Sequence, residues 1–311
     1  MPLKINKFLF TLLFLFSNCA SLTNSQIDEI HAYATLLQNY SDYPSHVLEE
    51  YIDLKYDVDL CNSGTFGPSS VNDKIWQVYV DKKAALTKAK RLDVSIRVIK
   101  AYATAISNLS SNELSDNLDK PSQKLGENTD SLVSTYNSLA TNKLPRGIGL
   151  LLGDAVLFSG KTIVKDKQAK ELMKFILQGD TLISIITEAI NKDLNEIVLQ
   201  SWMPGIKATL ASNHQNLLEN LNPKGDYTAY VATQYNKEVG QYIVRIDKLE
   251  EMTKKTIRSV SQVQKAHKKL LATIQTRKKL KEHITDIQTL SNSLQTMHDD
   301  LTKILEAKTT K

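Results

Sequence analysis

The sequence predicts an all-α protein, an elongated helical bundle of long antiparallel, coiled-coil-like helices, and three observations carry that expectation. Glycine and proline number only 11 and 7 in 311 residues, too few to turn the many short strands of a sandwich or barrel. Apolar residues recur at spacings of three and four over long stretches, which is the period of one helix face. No clear strand and no internal repeat of fixed period is present. A hydrophobic fraction of 41% against 23% charged residues is enough to build a core rather than leave a disordered chain.

The chain opens with Lys4 and Lys7, the apolar run Phe8 to Phe16, and then Ser17, Asn18, Cys19, Ala20 and Ser21. Positive charge, apolar run and small residues in that order make up an export signal, and the run is far shorter than the roughly 20 residues a helix needs to cross a bilayer. The segment resembles a bacterial lipoprotein signal, in which a cysteine just after the apolar run is acylated and becomes the first mature residue. The family usually has Leu third before the cysteine and Gly or Ala immediately before it; here Phe16 and Asn18 hold those places, with Leu15 one residue further back. The resemblance covers residues 1–19. It implies a signal peptide over 1–18, acylation of Cys19 with palmitate or a similar chain, a tether linker over 19–24, and a membrane-anchored place in the bacterial envelope. Ordinary cleavage near Ala20, giving a soluble periplasmic or secreted protein, is the alternative. Acylated Cys19 would leave Cys61 as the one mature thiol, whereas an intact Cys19 would allow a bridge between them.

A single elongated helical domain is expected over 25–308. Ile27, Ile30, Ala34, Leu37 and Tyr40 share one helix face, with Ser25 and Asp28 as a start signal. A second short helix from about Ser45 carries Val47, Leu48, Tyr51, Ile52 and Leu54 and ends before Gly64, Gly67 and Pro68. From Ser70 to about Leu109 an uninterrupted pattern through Ile75, Val78, Tyr79, Leu86, Leu92 and Ile99 predicts a rod of about 60 Å. The polar stretch 110–128, with Pro121 and Gly126, reads as a hinge, after which Leu132, Val133, Tyr136 and Leu139 resume a helix.

Residues 147–164 are the most apolar part of the mature chain, but Asp154, Lys161 and four glycines predict a buried helix rather than a membrane span. Helical periodicity returns over Glu171–Ile190 and Leu194–Leu221, with a kink at Pro204 and Gly205. After a turn at 223–226 the last element runs towards Leu305 with one glycine, Gly240, and no proline. Its final third, from Leu280 through Ile284, Ile287 and Leu294 to Ile304, steps like a coiled-coil seam. The helix of 70–109, also long, is the economical antiparallel partner, and self-association through the 280–304 seam is the competing expectation.

Chemistry finds little purchase. AVLFSGKT, residues 155–162, has the spacing of a loose phosphate loop, but Val156, Leu157 and Phe158 are bulky where backbone must approach phosphate. Asp28 with His31, and His283 with Asp286, are helical neighbours but only two ligands each. His46, His214, His267 and His298 stand alone. No residue earns a catalytic role, and no cofactor or metal is expected.

Charge distribution is more informative than the net +5. Residues 254–281 hold Lys254, Lys255, Arg258, Lys265, Lys268, Lys269, Arg277, Lys278, Lys279 and Lys281 with no acid, while residues 28–59 hold eight acids against Lys55. The two stretches are expected either to pair or, for the basic one, to meet an anionic partner such as lipid headgroups, a cell-wall polymer or an acidic envelope protein. The exported address disfavours nucleic acid. The functional expectation is a lipid-anchored envelope protein acting as a structural or interaction module. The alternative is a membrane-acting protein resembling helical pore-forming toxins, with 147–164 as the inserting segment.

Overall fold

Thr23 starts the first helix. Its hydroxyl accepts from the Gln26 N–H at 3.3 Å while the Gln26 side-chain oxygen accepts from the Thr23 N–H at 3.0 Å, a reciprocal cap lying just ahead of the Ser25–Asp28 signal expected from sequence. In the computed structural model, residues 22–40, 42–63, 68–110, 130–145, 148, 165–221, 229–276 and positions 289, 292, 296 and 299 are described. The helices are α1 (Asn24–Gln38), α2 (Tyr43–Ser63), α3 (Pro68–Ser110), α4 (130–139), α5 (Lys165–Lys192), α6 (Met203–Leu221) and α7 (Ala229–Thr276). A π-helical segment, Asp193–Trp202, joins α5 to α6. No strand occurs among the described residues, so the chain is all-α.

Contacts along the helices define four rods. Gln38 reaches Thr104 at 3.3 Å, Lys100 reaches Asp42 at 2.9 Å, and Lys82 reaches Asp53 at 3.0 Å. As numbers rise along α1 and α2 they fall along α3, so α1 and α2 follow one another along α3 in the opposite direction. The same logic applies to α7: Ser259 bonds Tyr40 at 3.3 Å and Arg245 bonds Asp57 at 3.1 Å. The rod α5–π–α6 also opposes α7, through Gln264 to Glu188, Asn191 to Ser261 and Lys207 to Glu250. Tyr102 of α3 stacks on Phe175 and Arg91 pairs with Asp193, so α3 and α5 are antiparallel as well. The result is an up-down-up-down bundle about 65 Å long, from the 43 residues of α3.

This topology corrects the expected pairing of the two longest helices. α3 and α7 lie on a diagonal and run in the same direction, and α7 instead packs between the α1–α2 rod and the α5–α6 rod. On α7 the buried positions 246, 249, 253, 256, 260, 263, 267, 270 and 274 step by three and four, with Met252 and Ser259 buried beside them. The seam expected over 280–304 lies outside the described residues apart from 289, 292, 296 and 299, as do the proposed hinge beyond Ser110, the phosphate-loop-like stretch, and all of 147–164 except Ile148.

Just upstream of Pro204 and Gly205, where a kink is expected, the helix is π-helical. Met203 donates its N–H to the Val198 carbonyl, five residues back, so the irregular bonding lies upstream of Pro204, whose ring would crowd the carbonyl four residues before it in a regular α-helix. α4 lies against the same region. Tyr136 is fully buried, and burial pushes its hydroxyl up to about 12, opposed by the charge of Arg91. Asn137 then fixes the following turn, accepting from the Leu144 N–H at 2.7 Å and donating to the Leu144 carbonyl at 3.3 Å.

Candidate functional site

Three sets of side chains stand out: a polar layer inside the bundle, the charged faces, and an apolar stripe outside it. The inner layer is centred on His267, which is fully buried. Its Nδ1 lies 3.2 Å from an Asp180 carboxylate oxygen, and its Nε2 lies 2.7 Å from the Tyr102 hydroxyl. Tyr33 of α1 packs its ring 5.9 Å away, so every rod contributes one member. A neutral imidazole satisfies the geometry when Nδ1–H donates to Asp180 and Nε2 accepts from Tyr102. Gly179 makes the layer feasible, because a Cβ there would overlap the Tyr102 hydroxyl and ring.

The bond from His267 holds the Asp180 carboxyl below its ordinary value of 3.8, outweighing the opposing effect of burial. A carboxyl with a depressed folded pKa contributes stability that is complete above the unfolded value and lost as pH falls through the folded one. Glu29 and Asp193 are raised, each chiefly by burial, and act with the opposite sign, their ionised forms disfavouring the fold above their ordinary values. Asp180→Asn is therefore expected to make the loss of stability below about pH 4 shallower, read from urea midpoints across pH 2.5–6. An unchanged slope would assign acid sensitivity to other carboxyls.

Next come the charged faces. Among the described residues, five acids of the acidic stretch have ion-pair partners outside the basic one. Asp42 and Asp53 are taken by Lys100 and Lys82 of α3, Asp59 by Lys55, and Glu50 and Asp57 by Arg245 at 3.1 Å each. Level along the bundle does not separate the two stretches, since Tyr40 lies level with Ser259 and Tyr33 with His267; Asp42 and Asp53 meet lysines of α3 instead. Within the basic stretch, Lys254 and Lys255 bond Glu250 and Glu251 one turn back, and Arg258, Lys265, Lys268 and Lys269 are exposed. Arg277, Lys278, Lys279 and Lys281 lie outside the described residues. Cys61 is an exposed free thiol in the last turn of α2.

The outer feature is the start of α3. Ile75, Trp76, Tyr79, Val80 and Leu86 are 40%, 67%, 51%, 53% and 42% exposed, and at about 100° per residue they share, with Lys83, one face roughly 140° wide. The Trp76 and Tyr79 rings meet edge to face at 6.0 Å. Elsewhere among the described residues the exposed large apolar side chains, Leu177, Ile243 and Val244, form no such run. Ile75, Tyr79 and Leu86 carry the apolar periodicity of the sequence and yet are exposed. The first turns of α3 are apolar on two faces, and α2 covers only one. The stripe also lies at the opposite end of the bundle from the start of α1, at least about 45 Å away along α3.

No helix among the described residues is long and apolar enough to cross a membrane, and no group of three or more His, Cys, Asp and Glu among them could hold a metal ion. No family model matches the chain, and no curated protein or solved structure is recognisably similar to it.

Proposed function

We propose that this chain is an exported helical bundle held at a bacterial membrane through acylated Cys19, and that it acts as an interaction module whose α3 stripe receives another envelope protein. The exposed run of Ile75, Trp76, Tyr79, Val80 and Leu86 carries the reading. A contiguous apolar patch on a folded surface is costly in water unless something covers it, and Trp and Tyr are the side chains most enriched where protein partners dock. The export signal supports the address. Separation of the stripe from the start of α1 supports a module that holds its partner away from its point of attachment.

Intact-mass analysis of the membrane fraction should find a diacylglycerol-modified chain beginning at Cys19 that is lost in Cys19→Ser. A photo-crosslinking residue at position 76 should capture one discrete partner, with the yield falling at least about fivefold in Tyr79→Asp, while the same probe at position 177 captures none. An unmodified chain beginning near Ser21 would overturn the tether. Equal capture from positions 76 and 177 would overturn the stripe. Leakage of liposomes at nanomolar protein would instead support the membrane-acting alternative, and Leu151→Asp with Leu152→Asp would then test 147–164 as the inserting segment.

A further inference from the structure

On the other side of α3 from the stripe, a cleft of about 230 Å³ opens between α2, α3 and the end of the π-helical segment. Asp81 and Lys88 both line it. Seven residues apart on a helix, they lie on one line about 10 Å from each other, with Ala84 and Ala85 forming an apolar floor between them. Ile52 and Tyr56 of α2 make the facing wall, and Trp202 closes the Lys88 end.

The charges divide into committed and uncommitted ones. Lys55 is bound to Asp59, and Lys82 is held by Asp53 at 3.0 Å and lies 4.2 Å over the Tyr56 ring. Lys88 sits 5.3 Å over the Trp202 ring and has no carboxylate within ion-pair distance among the described residues; nearby Asp193 is bound to Arg91. Among the described residues, Asp81 receives only the Gln77 amide, at 2.9 Å. The cleft therefore presents a cation at one end, an anion at the other, and methyl groups between.

We propose that this cleft binds a small zwitterion with an aliphatic spacer, its carboxylate on Lys88 and its ammonium on Asp81. A free ω-amino acid and the C-terminal lysine of a peptide both carry that chemistry. A ligand with only one charge would leave the other end of the cleft uncompensated, so the dipolar arrangement selects against simple acids and amines. Both protein charges are at least partly exposed, which screens each contact and sets the affinity in the millimolar range.

The chain has two tryptophans, so the full-length Trp76→Phe variant leaves Trp202 as a sole reporter at the cleft. Titration with 6-aminohexanoate, hexanoate and hexylamine, followed by calorimetry and by Trp202 emission, should rank the zwitterion at least about fivefold tighter than either partner. Lys88→Met should reduce 6-aminohexanoate to the affinity of hexylamine, and Asp81→Asn to that of hexanoate. A short peptide ending in lysine, beside its C-terminal amide, distinguishes the two sources, since the peptide acid binds and the amide does not if a C-terminal lysine is accepted. Equal affinity for the three small probes, absence of binding at tens of millimolar, or indifference to both substitutions would overturn the proposal. None of these readouts depends on the tether or on the α3 stripe.

Discussion

Asp193→Ala is expected to cost the bundle about 3–5 kcal/mol, the cost typical of removing one partner from a buried ion pair. The Arg91 and Asp193 side chains are only 18% and 11% exposed. Burial raises the Asp193 carboxyl even against the attraction of Arg91, so desolvation is the larger influence on this carboxylate. Truncating Asp193 leaves the Arg91 guanidinium buried without its carboxylate, and its Nε is already buried without a hydrogen-bond partner. Urea unfolding should show a lower midpoint with an unchanged slope. The double substitution Arg91→Met with Asp193→Leu should return to within about 1 kcal/mol of the parent or exceed it, because both charges leave together. A loss below about 1 kcal/mol in the single variant would mean that the pair is effectively solvated.

The pair also marks where sequence reading stops. Helix existence was legible throughout the described chain, because three-and-four spacing and scarcity of Gly and Pro are local properties. Partner choice was not. A face of buried positions on α7 says that something covers it, yet nothing in its own spacing distinguishes α3 from α2 or α5. The acidic and basic stretches were equally visible as composition, but which neighbouring helix each acid faces was not, and Asp42 meets Lys100 and Asp53 meets Lys82.

His267 looked isolated because its partners, Tyr102 and Asp180, lie 165 and 87 residues away. A usable signal did exist nearby: Gly179 interrupts a strong helical pattern directly before Asp180, and a glycine kept inside a helix commonly marks a close approach. The stripe on α3 failed differently. Its residues have the pattern of a core face, and only the extent of α2 coverage reveals that Trp76 and Tyr79 are left outside.

Gly179→Ala is expected to cost about 1–2 kcal/mol net, although alanine is intrinsically the better helix former by about 1 kcal/mol. The added methyl would overlap Tyr102 Oη, Cε2 and Cζ. That ring is confined: it is fully buried, stacked on Phe175 with centroids 5.2 Å apart, and bonded through its hydroxyl to His267 at 2.7 Å. Moving α5 away from α3 would open the core, and moving Tyr102 would strand the buried His267 Nε2; each adjustment costs about 1–3 kcal/mol. Gly240→Ala is the matched control on α7, where a Cβ meets nothing within 4 Å, and it should gain up to about 1 kcal/mol. Ring and hydroxyl can be separated in a Tyr102→Phe background. Because the ring carbons are obstructed as well as the oxygen, Gly179→Ala should remain comparably costly there, measured by urea unfolding. Rescue by Tyr102→Phe would place the obstruction at the hydroxyl alone and show that the ring has room to yield.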